Sequence, residues 1–410
     1  MIKNNFDIVI IGGGMVGLAI AYQIIERGFL KDILIIEKEK DIGLHSSGRN
    51  SGVLHSGIYY EPGSIKAKVC VSGSKRLKAW IQEKNIPIKN CGKVVIPQRF
   101  DLDEKLSLLE ERGKRNGAKV EILDENQLKE IAPFARSASG RGLWSPNTSV
   151  VNPSKVMQEL KKDLIKKGVI FCMDEINWFR KTPDKQIILT KGETINYAWL
   201  INCAGFNADK IAHNFEIGLE YNLMPFKGTY WQIKKNSPIK VNTNIYPVPD
   251  LNVPFLGVHF TPNAEISSSV SIGPTAIPAL GRENYRLFEK LEPLASLLNF
   301  KEIFFQYLSN SGGFRNYASE QLFLSFTPFF LKAAQELIPS ITANDIEVSK
   351  KVGIRAQLYN KKKKSLENDF ICINGSFSTH ILNAISPAFT ASFSLADLII
   401  DDYLMKSFLK

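Results

Sequence analysis

The sequence of 410 residues has few cysteines and no long apolar run. Its five cysteines are far apart in the chain and form no C-x-x-C pair. This pattern fits a reducing compartment and predicts no metal site. No apolar run reaches the ~20 residues that a transmembrane helix needs. Because five residues precede the first predicted strand, we also expect no secretory signal peptide.

Internal repeats, low-complexity tracts and nucleic-acid-binding motifs are also missing from the sequence. The formal net charge is +11, but the basic residues are dispersed along the chain. Such a charge can attract nucleic acid, an anionic membrane surface or an acidic substrate, or it can simply cover solvated faces. We expect no nucleic-acid partner. The sequence predicts a cytoplasmic protein of two domains, with peripheral attachment to the inner face of a membrane as an alternative.

The most informative stretch of the chain is FDIVIIGGGMVG at residues 6–17. It begins with an apolar, β-branched run that is typical of a buried parallel strand. Gly12, Gly14 and Gly17 then form G-x-G-x-x-G at the turn into a predicted helix. There the backbone can approach a pyrophosphate at the positive end of the helix. Glu37 ends the next predicted strand and can accept hydrogen bonds from a ribose 2′-OH. This order predicts a dinucleotide site and disfavours a 2′-phosphate.

The rest of the chain alternates between two patterns. Apolar strands and helices like those at the N-terminus return at 152–205 and near the C-terminus, whereas 220–273 has alternating, proline-rich strands typical of an antiparallel sheet. We therefore predict an α/β fold with a discontinuous Rossmann-like nucleotide domain and an inserted, mostly antiparallel α+β substrate domain. The first domain is assigned residues 1–85, 145–215 and 348–410, and the second 86–144 and 216–347.

Four further blocks of sequence share one resemblance. They are SSGRNSGVLHSGIYY with PGS at 46–64, YPVPD with FLGVHFT at 246–261, VGIRAQ at 352–357, and HILNA with SPA at 380–388. With the glycine motif, they resemble the FAD-dependent L-2-hydroxyglutarate dehydrogenases/oxidases of the D-amino-acid-oxidase-like flavoproteins, over nearly the whole chain. The resemblance implies oxidation of a 2-hydroxy acid to the 2-keto acid, with oxygen or a quinone as electron acceptor. Ala356 rather than a cysteine follows Arg355, so we expect non-covalent FAD.

The flavin ring needs positive potential where reduction places negative charge. The helix predicted after Asn383 can supply it; the alternative is a helix that merely docks the C-terminus. Arg49 to Gly52 resemble the loop beneath the ribityl chain, although Arg49 could instead form an ordinary surface salt bridge. Motif and resemblance together give the predicted FAD-binding residues: Gly12, Gly14, Met15, Val16, Gly17, Glu37, Lys38, Ser47, Arg49, Asn50, Ser51, Gly52, Val169, Ala204, Gly205, Asn383, Ala384, Ile385 and Ser386.

A 2-hydroxy acid needs a carboxylate anchor and a base. Arg355 lies in an apolar strand, where its planar fork suits a carboxylate, although a structural ion pair is an alternative. Lys227 is a weaker candidate for a second carboxylate, and Tyr60 is predicted to line the pocket. Histidine is the usual base near neutral pH, and we predict His55 first and His259 second as catalytic and substrate-contacting residues.

Two departures from the family pattern leave the substrate open. Pro262 stands where the family usually has arginine, and Thr275 stands where asparagine is expected. One alternative function is therefore an amine or amino-acid oxidase of the same superfamily. Another is an inactive flavin-binding or membrane-recruited protein. Aromatic residues in 322–337 suggest membrane contact, but a packed helix explains them equally well.

Overall fold

The computed structural model describes residues 3–29, 31–178, 184–251, 256–266, 269–286, 288–310 and 314–408. Position 255 of the second family block lies outside the described residues.

The helices and strands follow the sequence pattern closely. The α-helices are α1 (Met15–Glu26), α2 (Ile65–Glu83), α3 (Glu104–Arg115), α4 (Glu125–Ile131), α5 (Pro153–Lys166), α6 (Ala208–Asn214), α7 (Pro293–Ser309), α8 (Phe314–Phe323), α9 (Thr327–Gln335), α10 (Ala388–Ile399) and α11 (Met405–Ser407). The strands are β1 (Asn5–Ile11), β2 (Ile33–Glu37), β3 (Val53–Leu54), β4 (Ile88–Lys89), β5 (Lys93–Ile96), β6 (Glu121–Leu123), β7 (Gly142–Ser145), β8 (Ser149–Val151), β9 (Ile170–Met173), β10 (Gln186–Ile188), β11 (Thr194–Asn202), β12 (Tyr221–Ile233), β13 (Asn244–Pro247), β14 (His259–Pro262), β15 (Val270–Gly273), β16 (Ile277–Pro278), β17 (Ile346–Asn360), β18 (Ser365–Leu366), β19 (Ile371–Asn374) and β20 (Ser378–Asn383).

A seven-stranded sheet holds the N-terminal motif. Its order is β19-β20-β11-β1-β2-β9, with β10 paired to β11, and its central pairs are parallel. Helices α1, α2, α5 and α10 contribute to the apolar core that also contains Ile8 and Ile10 of β1. The strands are buried on both faces, as expected for a parallel sheet covered by helices. The carboxyl ends of β1, β2 and β11 therefore lie at one edge of this sheet.

A ten-stranded sheet forms the second layer. Its order is β18-β17-β12-β15-β14-β13-β5-β7-β6, with β16 paired to β12, and only the β13–β5 pair is parallel among the described strands. The 13-residue β12 pairs along β17, so this region has a long strand where we expected only short ones. Together with the first sheet, this mostly antiparallel sheet confirms the predicted α/β and α+β fold class.

The strand β17 connects the two sheets in the chain. We assigned residues 348–410 to the first domain, whereas β17 pairs with β12 in the ten-stranded sheet. The chain returns to the seven-stranded sheet at β19 and then enters α10, which continues through a π-helical turn into α11. The exact division into domains stays a prediction. This path brings the family block at 352–357 to the seam between the sheets.

Candidate active site

A cleft of about 420 Å³ opens where the carboxyl ends of β1, β2 and β11 meet the start of α1. Nucleotides bind at this edge of an open α/β sheet. Predicted cofactor residues from three separate parts of the chain line the cleft: Gly12, Gly14, Glu37, Lys38, Ser47, Ala204 and Gly205.

Two glycines keep the floor of this cleft free of side chains. Gly12 has a φ of +106°, and a Cβ there would lie 2.5 Å from the carbonyl oxygen of Cys203. A Cβ on Gly14 would lie 3.0 Å from Ser47 Oγ, which also accepts the backbone N–H of Met15 at 3.0 Å. Bare backbone at a helix N-terminus is the arrangement that a pyrophosphate requires. The cleft thus fits the diphosphate of a dinucleotide such as FAD.

Glu37 is fixed at the end of β2 by two backbone hydrogen bonds. Its Oε2 accepts the N–H of Gly13 at 2.9 Å, and its Oε1 accepts the N–H of Glu39 at 3.0 Å. Burial raises the pKa of Glu37, and the two hydrogen bonds oppose that rise. A carboxylate oriented in this way can accept a further hydrogen bond from a ribose hydroxyl.

The loop after β2 leads from this cleft toward β17. Asn50 Nδ2 donates to Ser47 O at 2.6 Å, and Asn50 Oδ1 accepts the N–H of Gly52 at 2.8 Å, with Ser51 between them. Arg49 donates through Nε to Leu44 O at 2.7 Å, and its guanidinium lies 4.1 Å from the ring centre of Tyr285. Its Nη1 also donates to Val352 O at 3.5 Å, so the described contacts of Arg49 are two carbonyls and a ring rather than a surface salt bridge.

The remaining predicted cofactor residues have mixed surroundings. Met15, Val16 and Gly17 form the first turn of α1, whereas Val169 packs into the core after α5 and does not line the cleft. The side-chain amide of Asn383 donates to Asp369 O at 2.6 Å and to Glu367 O at 3.1 Å, so it ties strands together. Ala384, Ile385 and Ser386 lead directly into α10. Their contacts with FAD stay predictions.

A basic group lies at the seam of the sheets around Arg355. Arg355 Nε donates to Gln357 Oε1 at 3.0 Å, and burial lowers the pKa of Arg355 to about 10, which leaves it protonated at neutral pH. Tyr60 lies near both Arg355 and Ser386. Lys66 is 8% exposed, and burial, followed by the charge of Arg355, lowers its pKa to about 7. We call Arg355, Lys66 and Tyr60 the arginine group.

Lys227 does not join this group. The register of β12 and β17 places Phe226 opposite Arg355 and Lys227 opposite Ile354. Because successive side chains alternate between the two faces of a sheet, the side chains of Lys227 and Arg355 project from opposite faces. Lys227 Nζ instead donates to Asn284 Oδ1 at 2.8 Å.

A second buried group surrounds the two predicted histidines. Lys93 of β5 is 1% exposed, and its Nζ lies 3.4 Å from His55 Nδ1 and 4.1 Å from the ring centre of Tyr246. The ring of His259 stacks on Tyr246 with centres 3.9 Å apart, and His259 Nδ1 donates to Gly257 O at 2.7 Å. We call Lys93, His55, His259 and Tyr246 the lysine–histidine cluster. Both histidines that the sequence offered as candidate bases therefore lie in one cluster, and their catalytic roles stay predictions.

Burial controls the charges in this cluster. It lowers the pKa of Lys93 to about 7 and that of His259 to about 3. It also lowers the pKa of His55 well below its ordinary value, with a further contribution from the charge of Lys93. Both histidines are therefore neutral at pH 7.

Both groups lie next to the start of α10. The backbone N–H of His55 donates to Thr390 Oγ1 at 3.1 Å, and Thr390 Oγ1 donates to Val53 O at 3.2 Å. On the other side, Tyr60 contacts Ser386 immediately before the helix. An arginine, two neutral imidazoles and the start of a helix therefore lie in one region of the structure, and oxidation of a hydroxy acid requires groups of these kinds.

Lys93 and Lys66 are functional candidates that sequence reasoning missed. Lys93 opens the apolar strand KVVI, and a charge in an apolar strand was the signal that identified Arg355. Lys66 lies in the amphipathic helix α2, where a lysine normally faces water. The local sequence shows neither that Lys93 contacts a histidine nor that the two lysines are buried.

A carboxylate pair at the rim of the nucleotide cleft has a lysine partner. Glu39, His45 and Glu283 approach closely enough to resemble a cation site. Lys38 Nζ, however, lies 2.7 Å from Glu283 and also contacts Glu39, and His45 Nε2 lies 3.0 Å from Glu39. The ammonium supplies the positive charge that these carboxylates require.

The sequence is similar to a known enzyme family over most of its length. Residues 7–401 match the FAD dependent oxidoreductase family. The chain is 37% identical to the mitochondrial L-2-hydroxyglutarate dehydrogenase of Nematostella vectensis, with 97% of this chain and 90% of the relative covered. It is 36% identical to the L-2-hydroxyglutarate dehydrogenase of Indibacter alkaliphilus (96% and 98% covered) and 34% to that of Homo sapiens (97% and 89%).

Solved structures share the fold. A dithionite-reduced L-α-glycerophosphate oxidase from Mycoplasma pneumoniae with FAD bound superposes with a TM-score of 0.74, 19% identity and coverage of 98% of this chain and 96% of that one. Glycine oxidase from Geobacillus kaustophilus gives a TM-score of 0.72 at 16% identity, with 99% and 96% covered.

Proposed function

Because this chain belongs to the FAD dependent oxidoreductase family, we propose that it oxidises L-2-hydroxyglutarate to the corresponding 2-keto acid. The observation that carries the proposal is the convergence of Arg355, Lys66 and neutral His55 beside α10. The names of the relatives point to the same substrate. FAD, when bound, accepts the hydride that leaves C2 of the substrate. The chain's own residues must bind the acid and take the hydroxyl proton.

Arg355 and Lys66 match the two negative charges of this substrate. Arg355 offers a planar fork to the C1 carboxylate, as predicted. We assign the second carboxylate to Lys66 rather than to Lys227, since Lys66 lies near Arg355 and Lys227 leaves the other face of the sheet. A bound carboxylate raises the pKa of Lys66, so that its amine is protonated and carries a positive charge. The two carboxylates of the dianion thus match the positive charges of these two basic groups.

His55 is the residue that we assign as base. Its neutral ring is held beside Thr390 in the first turn of α10, and its Nδ1 side is occupied by Lys93. Nε2 is then the nitrogen that takes the proton from the C2 hydroxyl. His259, fixed through Nδ1 to Gly257 O, lines the same cluster and contributes to its shape.

Pro262, which departs from the family pattern, lies away from this chemistry. In β14 it shares a face with Phe260, opposite Val270, and both of these apolar residues belong to the core beneath α9. His259 is on the other face by strand alternation. Thr275 is 1% exposed and bonds Thr229. The positions of Pro262 and Thr275 therefore do not favour the alternative of an inactive flavin-binding protein.

Anaerobic reduction of the FAD-loaded protein tests the proposal. L-2-Hydroxyglutarate should bleach the flavin, whereas its D-enantiomer and L-lactate should be much slower. L-Glutamate differs at C2 by an amino group in place of the hydroxyl, and faster bleaching with it would support the amino-acid oxidase alternative. A protein that holds FAD but is reduced by none of these compounds would contradict the proposed activity.

Peripheral membrane attachment is a separate proposal, supported by an unusual helix. In α7, the polar residues Ser296, Asn299 and Gln306 are buried, whereas Leu294, Leu297, Leu298, Phe304, Phe305 and Leu308 are between 53% and 81% exposed. A helix at a water-facing surface has the opposite arrangement. In α8, α9 and the turn between them, Leu322, Phe323, Phe326 and Phe329 extend this apolar surface.

The occupant that we propose for this apolar surface is an anionic lipid bilayer. Exposed Lys301, Arg315 and Lys332 lie on the same helices, and the whole chain carries +11. Apolar insertion combined with basic residues is the pattern of interfacial helices. None of the helices that the described residues form has the length and apolar character to cross a membrane. A membrane quinone would then be the electron acceptor, rather than oxygen.

A further inference from the structure

We propose that Lys93 and His55 form a buried proton relay for the C2 hydroxyl of the substrate. The proposal rests on the function given above and adds a residue to it. The hydroxyl proton moves to His55 Nε2 as the hydride leaves C2, and the proton on His55 Nδ1 moves to the amine of Lys93. The hydroxyl loses one proton, Lys93 gains one, and His55 ends neutral. Lys93 acts through His55, so it is a positioning residue.

The distances and surroundings support this relay. Nζ of Lys93 lies 3.4 Å from His55 Nδ1, and both side chains are at most 9% exposed. In the part of the chain that the structure describes, the titratable groups that face Lys93 are His55, His259, Tyr59, Tyr246, Cys70 and Cys91, and none of these is a carboxylate. A buried ammonium normally has an anionic partner. These surroundings therefore favour the neutral amine of Lys93, and in the relay this amine accepts a hydrogen bond from His55 Nδ1–H.

The position of His55 makes the relay useful. Its backbone is tied to Thr390 of α10, and Lys93 fixes the ring from the opposite sheet. A proton on Nδ1 leaves Nε2 with the lone pair that a general base needs. After the proton has moved on, the new ammonium lies against the rings of Tyr246 and Tyr59, at 4.1 and 5.0 Å from their centres, which stabilises its charge.

A competing role for Lys93 is to anchor a substrate carboxylate through its positive charge, without accepting a proton. Stopped-flow reduction of the FAD-loaded enzyme separates the two roles. With a relay, Lys93→Met lowers the limiting reduction rate by about 10²-fold or more and changes substrate affinity little. Lys93→Arg fails in the same way, because arginine cannot accept the proton. If Lys93→Arg restores the rate, or if Lys93→Met raises the Kd without slowing the limiting rate, the relay is wrong.

Lys351→Met is the matched control. Lys351 is also largely buried against a tyrosine ring, 4.9 Å from the centre of Tyr230. Its substitution should leave the reduction rate within about threefold, because no histidine contacts it in the described structure. If Lys351→Met slowed flavin reduction as much as Lys93→Met, both losses would reflect damage to the fold, and the relay would be wrong.

A measurement without turnover tests the same arrangement and is independent of the substrate. In ¹⁵N-histidine spectra of the unreacted protein, His55 should be neutral with its proton on Nδ1 at pH 8, and Lys93→Met should change its tautomer balance. A proton on Nε2 at that pH would overturn the proposal. If L-2-hydroxyglutarate does not reduce the flavin but this tautomer is found, the proposed substrate fails and the relay stands.

Discussion

Thr390 Oγ1 accepts the backbone N–H of His55 at 3.1 Å and so joins the loop after β3 to the first turn of α10. This contact fixes a histidine from the N-terminal third of the chain beside a helix from its C-terminus. Lys93 then reaches His55 from the other sheet. The candidate base is therefore positioned by three elements that are distant in sequence: the loop after β3, strand β5 and helix α10.

Gly12→Ala should abolish FAD binding. The new methyl group would lie 2.5 Å from Cys203 O, at a backbone φ of +106° that disfavours any side chain. Gly28→Ala is the control: its φ is +80° and no atom lies within 4 Å of the added Cβ, so it should lose about 1–2 kcal/mol of stability and keep its flavin. The flavin absorbance of the purified proteins reports the result. Equal flavin content in both would contradict the assigned cradle.

Glu37→Gln should weaken FAD binding by roughly 10- to 100-fold, since hydrogen bonds to a charged group contribute about 1.5–3 kcal/mol. The amide keeps the size of the side chain but loses one of the acceptors that hold Gly13 and Glu39. Titration of the apoprotein with FAD measures the Kd. Glu26→Gln, in a surface ion pair with Lys167, is the control and should not change it.

Arg355→Met and Lys227→Met should differ strongly in substrate affinity. Loss of a buried charge that pairs with a ligand costs about 2–5 kcal/mol, so Arg355→Met should raise the KM by roughly 30-fold or more. Lys227 leaves the other face of β12, and its substitution should change the KM less than about threefold. Steady-state kinetics with both variants decides. A larger effect at Lys227 would restore it as the carboxylate ligand.

The candidate site also shows which residues the sequence can indicate and which it cannot. The glycines and Glu37 follow a fixed spacing along the chain, so the spacing alone was enough to predict them. Arg355 was predicted because its strand is otherwise apolar. Lys227 was judged by its neighbours alone, although its face depends on which residue of β17 lies opposite. Lys93 was missed because its partner, His55, is 38 residues away and lies in the loop after β3, outside the sheet that contains Lys93.

The unfolding free energy of the apoprotein should rise between pH 7 and about pH 10. Burial lowers the pKa values of Lys66 and Lys93 to about 7 from an ordinary 10.5. In this window the unfolded lysines bind protons that the native ones have released, so raising the pH favours the native state. Urea unfolding at several pH values measures the slope. Lys93→Met should reduce it, whereas an unchanged slope would show that Lys93 is charged in the native protein.

Membrane attachment should depend on the apolar surface of α7. Phe304→Ser with Phe305→Ser removes two rings that are 58% and 53% exposed, and inserting a phenylalanine contributes about 1.5–3 kcal/mol. The partition coefficient of the double variant onto anionic vesicles, measured by flotation, should therefore be at least roughly 30-fold lower than that of the unaltered protein. Phe100→Ser with Leu219→Ser, at positions 76% and 54% exposed on other elements, should float normally.

Flavin reduction by substrate should be the same in all three proteins, and reduction of a vesicle quinone should fall only in the α7 variant. Unaltered protein that stays at the bottom of the gradient with anionic vesicles would contradict the lipid contact, because an inserted apolar helix with basic neighbours cannot remain in water under those conditions.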